Sequence, residues 1–246
     1  MLETVANAGL FERGVILVGT AAFQTYSGIV GYYLPASALM TNDADLLVAS
    51  LVAGREPKDL EVILQRADPT FRAHMSRNDK LPKVFKSENG FQVDVLTKFG
   101  RGRKSPVVIA DLNCAAEALT FMEYLAEESI ETVSLYGTGV LVRVPPPLRY
   151  AVHKLLVAQE RRGTTLAKRQ KDLNQARDLI DVYLEIDSES LQDVLDDARK
   201  RGAGWKKNIN ASLRDIGRDD RQGYLPLPVE KAASKPQTSA VLRRKP

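Results

Sequence analysis

Three aspartates lie in segments that are otherwise rich in strand-forming residues. Asp43 and Asp45 belong to the run TNDADLLV, and Asp94 belongs to FQVDVL. Because side chains alternate along a strand, Asp43 and Asp45 share one face, where two carboxylates repel each other unless a cation lies between them. If the two strands are neighbours, all three carboxylates converge, and all-oxygen ligands favour Mg²⁺ or Mn²⁺. The alternative is that these acids cap turns.

A glycine and a threonine follow the first apolar run, VILV. Gly19 would let the backbone approach a ligand closely, and the free N–H groups at the start of the following helix favour an anion. Thr20 either caps that helix or offers its hydroxyl to a phosphate. The pair alone is a weak signal. Combined with the three later aspartates, it predicts a phosphate site beside a metal site.

A later segment supplies two cations and a fourth acid. Lys154 and Arg161 are seven residues apart, which places them on one face of a predicted helix, from which both reach the phosphates of a nucleotide or an acceptor. Asp172 is expected to contact Lys154 or the nucleotide. The alternatives are a solvated helix face for the two cations and an ion pair with Lys168, four residues earlier, for Asp172.

The elements that must position these residues change in character at the triple proline 145–147. Upstream, short apolar runs alternate with helical patterns, which predicts an α/β or α+β core. Strands are expected at 15–18, 44–48, 91–96, 107–110 and 135–144, and helices at about 20–33, 57–65 and 115–127. Downstream, helices are expected at 148–162, 168–185, 188–200 and 203–215. The predicted division is a core over 1–144, a helical domain over 145–217 and a flexible basic tail over 218–246.

Composition excludes several classes of protein. The chain has 246 residues, 44% of them hydrophobic and 27% charged, as in ordinary globular proteins. Its single cysteine, Cys114, excludes an internal disulfide and a cysteine-rich zinc site, and two histidines argue against a zinc enzyme. Of these, His74 is expected in a loop near the cleft, and His153 is expected to pack or form a hydrogen bond at the domain junction.

Neither a membrane span nor a secretory signal is visible in the sequence, so a reducing cytoplasm is the expected location. Residues 151–246 hold 20 basic and 14 acidic side chains, whereas the whole chain carries a net charge of +4. A basic C-terminal half suggests an anionic partner such as a nucleotide or a nucleic acid. A solvated helical surface would explain the same excess.

The ordered motifs Gly19-Thr20, Asp43-Ala44-Asp45 and Asp94 resemble those of the polymerase-β-type nucleotidyltransferase superfamily. In that superfamily a Gly-Ser-like turn holds the triphosphate, paired carboxylates bind two divalent ions, and a third carboxylate on an adjacent strand completes the site. The downstream runs VPPPLRYAVHKL and KRQKDLNQA are similar to a bacterial group of predicted nucleotidyltransferases related to the abortive-infection type of toxin. Together these matches cover about residues 15–184.

The resemblance implies a polymerase-β-like core with a mixed sheet, followed by a helical domain, and an NTP in the cleft between them. It assigns Mg²⁺ or Mn²⁺ to the three carboxylates, and the nucleotide to the Gly-Thr turn and the later cations. The implied metal ligands are Asp43, Asp45 and Asp94; the implied nucleotide-binding residues are Gly19, Thr20, Lys154 and Arg161; the implied catalytic residues are Asp43, Asp45, Asp94, Lys154 and Asp172.

The implied reaction moves an NMP from an NTP to an acceptor hydroxyl, with pyrophosphate as the leaving group. The acceptor stays open among RNA, protein and a small molecule, and a cognate antitoxin is a further expected partner; no membrane partner is expected. A different class of function also fits the sequence. The chain would then be a non-catalytic nucleotide- or RNA-binding module, or the toxin component of a two-gene system.

Overall fold

Strands and short helices alternate as far as Val144, and longer helices follow as far as Asp215. The computed structural model describes residues 1–38, 41–52, 56–77, 79–99 and 105–218. The strands are β1 (Val15–Val18), β2 (Asp43–Val48), β3 (Arg72–His74), β4 (Val84–Lys86), β5 (Gln92–Lys98), β6 (Val107–Ile109), β7 (Cys114–Leu119), β8 (Ile130–Ser134) and β9 (Val140–Val144). The α-helices are α1 (Leu2–Asn7), α2 (Gly19–Val30), α3 (Leu60–Gln65), α4 (Met122–Ala126), α5 (Pro147–Glu160), α6 (Ala167–Ile186), α7 (Ser188–Lys200) and α8 (Ala203–Asp215). Short 3₁₀ turns lie at Pro35–Ala38, Ala110–Leu112 and Gly163–Thr165.

Seven of these strands form one mixed sheet, as the sequence predicts. Its order is β1-β2-β5-β4-β3, with β7 also paired to β5 and β6 paired to β7. The pairs β2–β5 and β5–β7 are parallel, and the others are antiparallel. Strands β8 and β9 form a separate antiparallel hairpin. The parallel pair β2–β5 is the one that carries the aspartates.

The sheet is covered on both faces because its central strands alternate apolar residues toward each side. On one face, Leu17, Leu46 and Val95 join the main hydrophobic core. On the opposite face a smaller apolar cluster lies beneath α4, and its members are Ile16, Val18, Leu47, Leu96, Met122 and Leu125. The strand alternation puts Asp45 and Asp94 on this second face, two residues before Leu47 and Leu96. The carboxylates therefore lie beside the apolar cover of α4.

The helical region packs directly on the strand region. Helix α5 contacts α6, α7 and α8, and one hydrophobic cluster contains core residues from both regions, such as Leu17, Leu155 and Leu213. Tyr26 of α2 donates a hydrogen bond to the carbonyl oxygen of Pro145 at 2.9 Å, which ties the two regions at their boundary. The predicted division into a core and a helical domain stays a prediction.

One predicted element is wrong in type. The helix expected at 115–127 is strand β7 followed by the short helix α4. The alanines of β7 suggest a helix by propensity, but Ala115 and Ala116 are buried and pair with β6, so tertiary pairing overrides the local preference. The extended segment expected at 135–144 becomes a strand only from Val140.

Other boundaries also shift, and four elements were not predicted. The helix expected at 57–65 begins at Leu60, after Asp59 caps it by accepting a hydrogen bond from the Val62 amide at 3.3 Å. Helix α1 and strands β3, β4 and β8 lack a strong pattern in the sequence. Of the tail expected at 218–246, only Arg218 belongs to the described residues. Within those residues, no helix combines the length and the apolar character that a membrane crossing needs.

Candidate active site

The register of the adjacent strands β1, β2 and β5 brings the predicted residues together. Asp45 of β2 is paired with Val18 of β1 on one side and with Asp94 of β5 on the other. Residues paired across a sheet point to the same face, so the carboxylates of Asp45 and Asp94 are neighbours. Asp43 lies two residues from Asp45 on the same strand and therefore on that face. The last residue of β1 leads directly into Gly19, which begins α2.

The turn at Gly19 is closed against Asp45. Gly19 has φ of +67°, a conformation that L side chains rarely adopt, and a Cβ placed there would lie 2.9 Å from the carboxyl carbon of Asp45. The carbonyl oxygen of Gly19 accepts a hydrogen bond from the hydroxyl of Tyr150 at 2.9 Å, and this hydroxyl also lies 3.0 Å from Oε1 of Gln175. Only glycine fits this position, and a side chain of α5 holds it from the other side.

The carboxylates raise each other's affinity for protons. Burial raises the pKa of Asp45 to about 6, and the nearby charges of Asp43 and Asp94 act in the same direction. Burial also raises the pKa of Asp94, although a hydrogen bond donated by Gln92 to its Oδ2 at 2.7 Å opposes the change. The hydroxyl of Thr41 donates to Oδ1 of Asp43. A bound cation neutralises clustered carboxylates of this kind and thereby stabilises them.

The second group of predicted residues forms an ion cluster between α5 and α6. Lys154 Nζ lies 2.6 Å from Oδ1 of Asp172, and Arg161 Nε lies 2.8 Å from its Oδ2. Burial disfavours the charge of Asp172, but the two cations outweigh it and lower the pKa of this carboxyl. Lys154 is buried, so the alternative of a solvated helix face is wrong for this residue. The predicted contact of Asp172 with Lys154 is therefore present, in place of the alternative ion pair with Lys168.

A cavity of about 410 Å³ joins the two groups. Six of the predicted site residues line it, namely Gly19, Asp43, Asp45, Asp94, Lys154 and Arg161. Thr20 does not line this cavity; it is buried in the first turn of α2. Asp172 is also outside the lining, because it is buried behind the two cations that it binds. The walls therefore hold acids on the strands and bases on α5 and directly after it. Arg161 lies just beyond the end of α5, with an extended backbone, and not within the predicted helix.

Sequence reasoning missed several neighbours of this cavity. Lys168 lines it, and its charge partly offsets the raised pKa of both Asp45 and Asp94. Gln92 lines it too, and its place two residues before Asp94 on a strand was a usable signal. Tyr150 had no signal in the sequence, since its hydrogen bond to Gly19 depends on how α5 packs against the sheet.

The two histidines differ sharply in their surroundings. His153 is 5% exposed, lines the cavity, and has no hydrogen-bond partner for Nδ1 or Nε2 among the described residues. Burial, with a contribution from the charge of Lys154, lowers the pKa of His153 to about 3, so the ring is neutral. Of the two expectations for His153, packing agrees with its burial, whereas neither ring nitrogen has a hydrogen-bond partner among the described residues. His74 is exposed at the end of β3, not in the predicted loop.

A second cavity, of about 610 Å³, shares Asp43 with the first. Its other walls come from the start of the chain, the segment around Phe71, the turn before β5 and the tip of the β8–β9 hairpin. The tip residues Leu135 and Tyr136 are exposed. Asp43 thus borders both cavities.

Comparison with known proteins identifies the family. A family model described as "Nucleotidyltransferase" matches residues 1–200. The chain belongs to this nucleotidyltransferase family. No curated protein matches it. Among solved structures, the crystal structure of an antigenic nucleotidyltransferase-like protein from Paracoccidioides brasiliensis is similar to it, with 14% sequence identity, a TM-score of 0.41, and coverage of 85% of this chain and 91% of that chain.

Membership of the nucleotidyltransferase family confirms the superfamily suggested by the motifs. Whether the residues fit a divalent ion depends on the donor set. Three carboxylates on one face of the sheet, with mutually raised proton affinity at Asp45, suit a hard cation. In the conformation described, however, no group of three His, Cys, Asp or Glu side chains within the described residues is arranged as a metal site. The carboxylate oxygens of this nucleotidyltransferase are nevertheless ligands of the type that a divalent ion prefers.

Proposed function

We propose that the chain transfers an NMP from an NTP to an acceptor hydroxyl, with Mg²⁺ or Mn²⁺ bound by Asp43, Asp45 and Asp94. The observation that carries this proposal is the register of β1, β2 and β5, which places Asp45 beside both Asp94 and the Gly19 turn. A phosphate-binding turn in contact with clustered carboxylates suits the chemistry of phosphoryl transfer. Family membership supports the transferase class.

The proposed reaction forms a bond between the acceptor oxygen and the α-phosphorus, and it breaks the bond to the β-phosphate so that pyrophosphate leaves. Bound divalent ions would neutralise negative charge on the entering and leaving oxygens. Asp94 would orient the acceptor hydroxyl for deprotonation. The Gly19 turn would hold the triphosphate at the start of α2 through the backbone N–H groups of the first helical turn, to which Thr20 contributes its amide and not its buried side chain.

Lys154 of α5 and Arg161, which follows this helix, would bind the phosphates from the opposite wall. Lys154 and Arg161 line the cavity, and Asp172 holds both in place through bonds of 2.6 and 2.8 Å. Asp172 is therefore a positioning residue, since it contacts the cations and not the cavity. Lys168 adds a further positive charge from α6. Fixed charges of this kind stabilise a phosphate without reorganising during the reaction.

The acceptor would enter from the second cavity, because that space meets the first at Asp43. Neither lysine nor arginine occurs among the described residues that line it. This favours an acceptor that is recognised through apolar and neutral polar groups, as in a small molecule or a protein segment, over the phosphates of RNA. Binding of an RNA acceptor would weaken steeply as salt rises, whereas binding of the other two would not.

A labelled-nucleotide assay tests the proposal. The full chain is incubated with Mg²⁺, cell extract and each NTP, labelled in parallel at the α- or the γ-phosphate. The α-label should enter RNA, protein or a small product, and the γ-label should appear in pyrophosphate. Asp45→Asn should abolish transfer, whereas Asp193→Asn, an exposed change on α7, should leave it unchanged.

Absence of transfer, together with binding of RNA that is indifferent to metal, would overturn the proposal and favour a non-catalytic binding module. We further propose that the chain is related to the abortive-infection toxins and has a cognate antitoxin as its partner. This proposal rests on the VPPPLRYAVHKL and KRQKDLNQA runs alone. Co-purification of a tagged chain with the product of a neighbouring gene would test it.

A further inference from the structure

One carboxylate on the wall of the 410 Å³ cavity is separate from the three aspartates of the sheet. It belongs to Glu160, the last residue of α5, and Thr120, which directly follows β7, lines the cavity beside it. The hydroxyl of Thr120 donates a hydrogen bond to Oε2 of Glu160 at 2.9 Å. Both residues are exposed. A hydroxyl and a carboxylate therefore lie side by side where a ligand of the cavity can reach them.

Glu160 forms no ion pair with a cation in the part of the chain that the structure describes. Its neighbour Arg161 pairs with Asp172 instead, and so does Lys154. The end of α5 also disfavours a carboxylate, because the carbonyl end of a helix carries a partial negative charge. Glu160 would repel a phosphate, so the group that it suits is one with neutral hydrogen-bond donors.

An NTP presents neutral donors of two kinds, the ribose hydroxyls and the N–H groups of the bases. The order of residues favours the ribose. Glu160 directly precedes Arg161, so their α-carbons lie about 3.8 Å apart, and Arg161 is the residue proposed to bind the phosphates. In an NTP the ribose is the group attached to the phosphates, and the base lies beyond it. Carboxylates of Asp and Glu bind ribose hydroxyls in this way in dinucleotide sites.

The turn that carries Thr120 is held in place from outside the cavity. Phe121 has φ of +64°, which residues other than glycine rarely adopt, and its ring packs edge-on against Trp205 of α8, with 5.1 Å between the ring centroids. Such a conformation persists where surrounding contacts fix it. Leu119 and Met122, on either side of the turn, line the cavity with apolar groups, which suit the C–H faces of a sugar ring.

We propose that Glu160 and Thr120 bind the ribose hydroxyls of the NTP, so that the chain selects ribonucleotides over deoxyribonucleotides. This inference rests on the proposed function, because it takes an NTP as the ligand of the cavity and its phosphates as the ligands of Arg161. A 2′-deoxynucleotide leaves the carboxylate of Glu160 without one donor. Loss of a hydrogen bond to a charged group lowers affinity by about 10- to 100-fold, which makes Glu160 a specificity-determining residue.

Calorimetry of the full chain with Mg²⁺ tests the inference by comparing ATP, GTP, CTP and UTP, each with its 2′-deoxy counterpart. The ribonucleotide of highest affinity should bind about 10- to 100-fold more tightly than its 2′-deoxy counterpart. Glu160→Ala should reduce this ratio to within about threefold by weakening the binding of the ribonucleotide. Glu185→Ala is the matched control, since Glu185 is also an exposed glutamate in the last turn of a helix, and it should keep the native ratio.

A second pair of variants tests the hydroxyl. Thr120→Val should lower the ratio of ribonucleotide to deoxyribonucleotide affinity, whereas Thr120→Ser, which keeps a hydroxyl, should retain it. The affinity for inorganic tripolyphosphate should be the same in all of these chains, because the phosphates bind at other residues of the cavity. Circular dichroism checks that each variant folds. The ratio for the native chain needs no variant, so it tests the inference even where a variant does not fold.

The outcomes separate this inference from the proposed function. Equal affinity of the native chain for ribonucleotides and deoxyribonucleotides, or a ratio that Glu160→Ala leaves unchanged, would overturn the role of Glu160 and leave the proposed transferase intact. Loss of tripolyphosphate binding in Glu160→Ala would also overturn that role, because the carboxylate would then act at the phosphates. Failure of the native chain to bind any nucleotide or tripolyphosphate would overturn both proposals.

Discussion

The carboxylate of Asp45 lies against the α-carbon of Gly19, so closely that any β-carbon at position 19 would overlap it. The contact joins the end of β1 to the centre of β2, and the positive φ of Gly19 shapes the turn that enters α2. A phosphate site and an acidic site are thereby made from one continuous piece of backbone.

Gly19→Ala should damage both the fold and the site. The substitution strains a backbone with φ of +67° and displaces Asp45, so the free energy of unfolding should fall by about 1–3 kcal/mol and NTP binding should be lost. Denaturant titration and calorimetry measure the two effects. Gly28→Ala in the same helix is the matched control, because a Cβ there meets nothing within 4 Å. It should be neutral or stabilising; equal effects of the two variants would contradict the account.

Asp45→Asn should stabilise the metal-free chain at pH 8. The pKa of Asp45 is raised from 3.8 to about 6 on folding, so its ionised form destabilises the folded chain above pH 6. Replacing it should add about 1–3 kcal/mol there, and the gain should shrink as pH falls from 6 to 4 because the native carboxyl then takes up its proton. Thermal unfolding in the presence of a chelator, at several pH values, measures the gain. Asp193→Asn should show no such trend, and a gain that is independent of pH would refute the electrostatic explanation.

Asp172→Ala should destabilise the chain far more than loss of a surface ion pair. The change leaves Lys154 buried without its carboxylate, which costs about 3–5 kcal/mol for buried pairs. Glu131→Ala is the comparison, since its ion pair with Arg143 is exposed and should contribute less than about 1 kcal/mol. Urea unfolding of both variants provides the values. Similar losses of unfolding free energy in the two variants would contradict the expectation that the buried ion cluster stabilises the fold more than the exposed pair does.

Tyr150→Phe should weaken NTP binding, whereas Tyr26→Phe should not. Both tyrosines are buried in one aromatic group, and each donates a hydrogen bond to a backbone carbonyl. Each loss should cost about 1 kcal/mol of stability, but only Tyr150 contacts the Gly19 turn. Calorimetry of NTP binding to the two variants distinguishes them. Equal affinities would show that the turn does not depend on α5.

Local patterns in the sequence predict much of the sheet and of the acidic group. The alternation around Asp43, Asp45 and Asp94 follows from strand geometry, which needs no knowledge of distant residues. The helices at 188–200 and 203–215 were predicted with the bounds that the structure gives. Their amphipathic pattern and the Arg201-Gly202 pair between them carry that information.

What the sequence did not predict depends on packing between distant elements. Burial of Lys154 results from the contact of α5 with α6, and the strand character of Ala115 and Ala116 results from pairing with neighbouring strands. The unpaired nitrogens of His153 follow from the same packing. Such outcomes have no local signal, because residue type and spacing do not specify which side chains meet across elements.

The most direct test of the central claim is crystallography of the full chain with a non-hydrolysable NTP analogue and Mn²⁺, with data collected at the manganese absorption edge. The account predicts anomalous density between the carboxylates of Asp43, Asp45 and Asp94, with the triphosphate beside Gly19. Manganese bound elsewhere, or a triphosphate remote from the Gly19 turn, would contradict it.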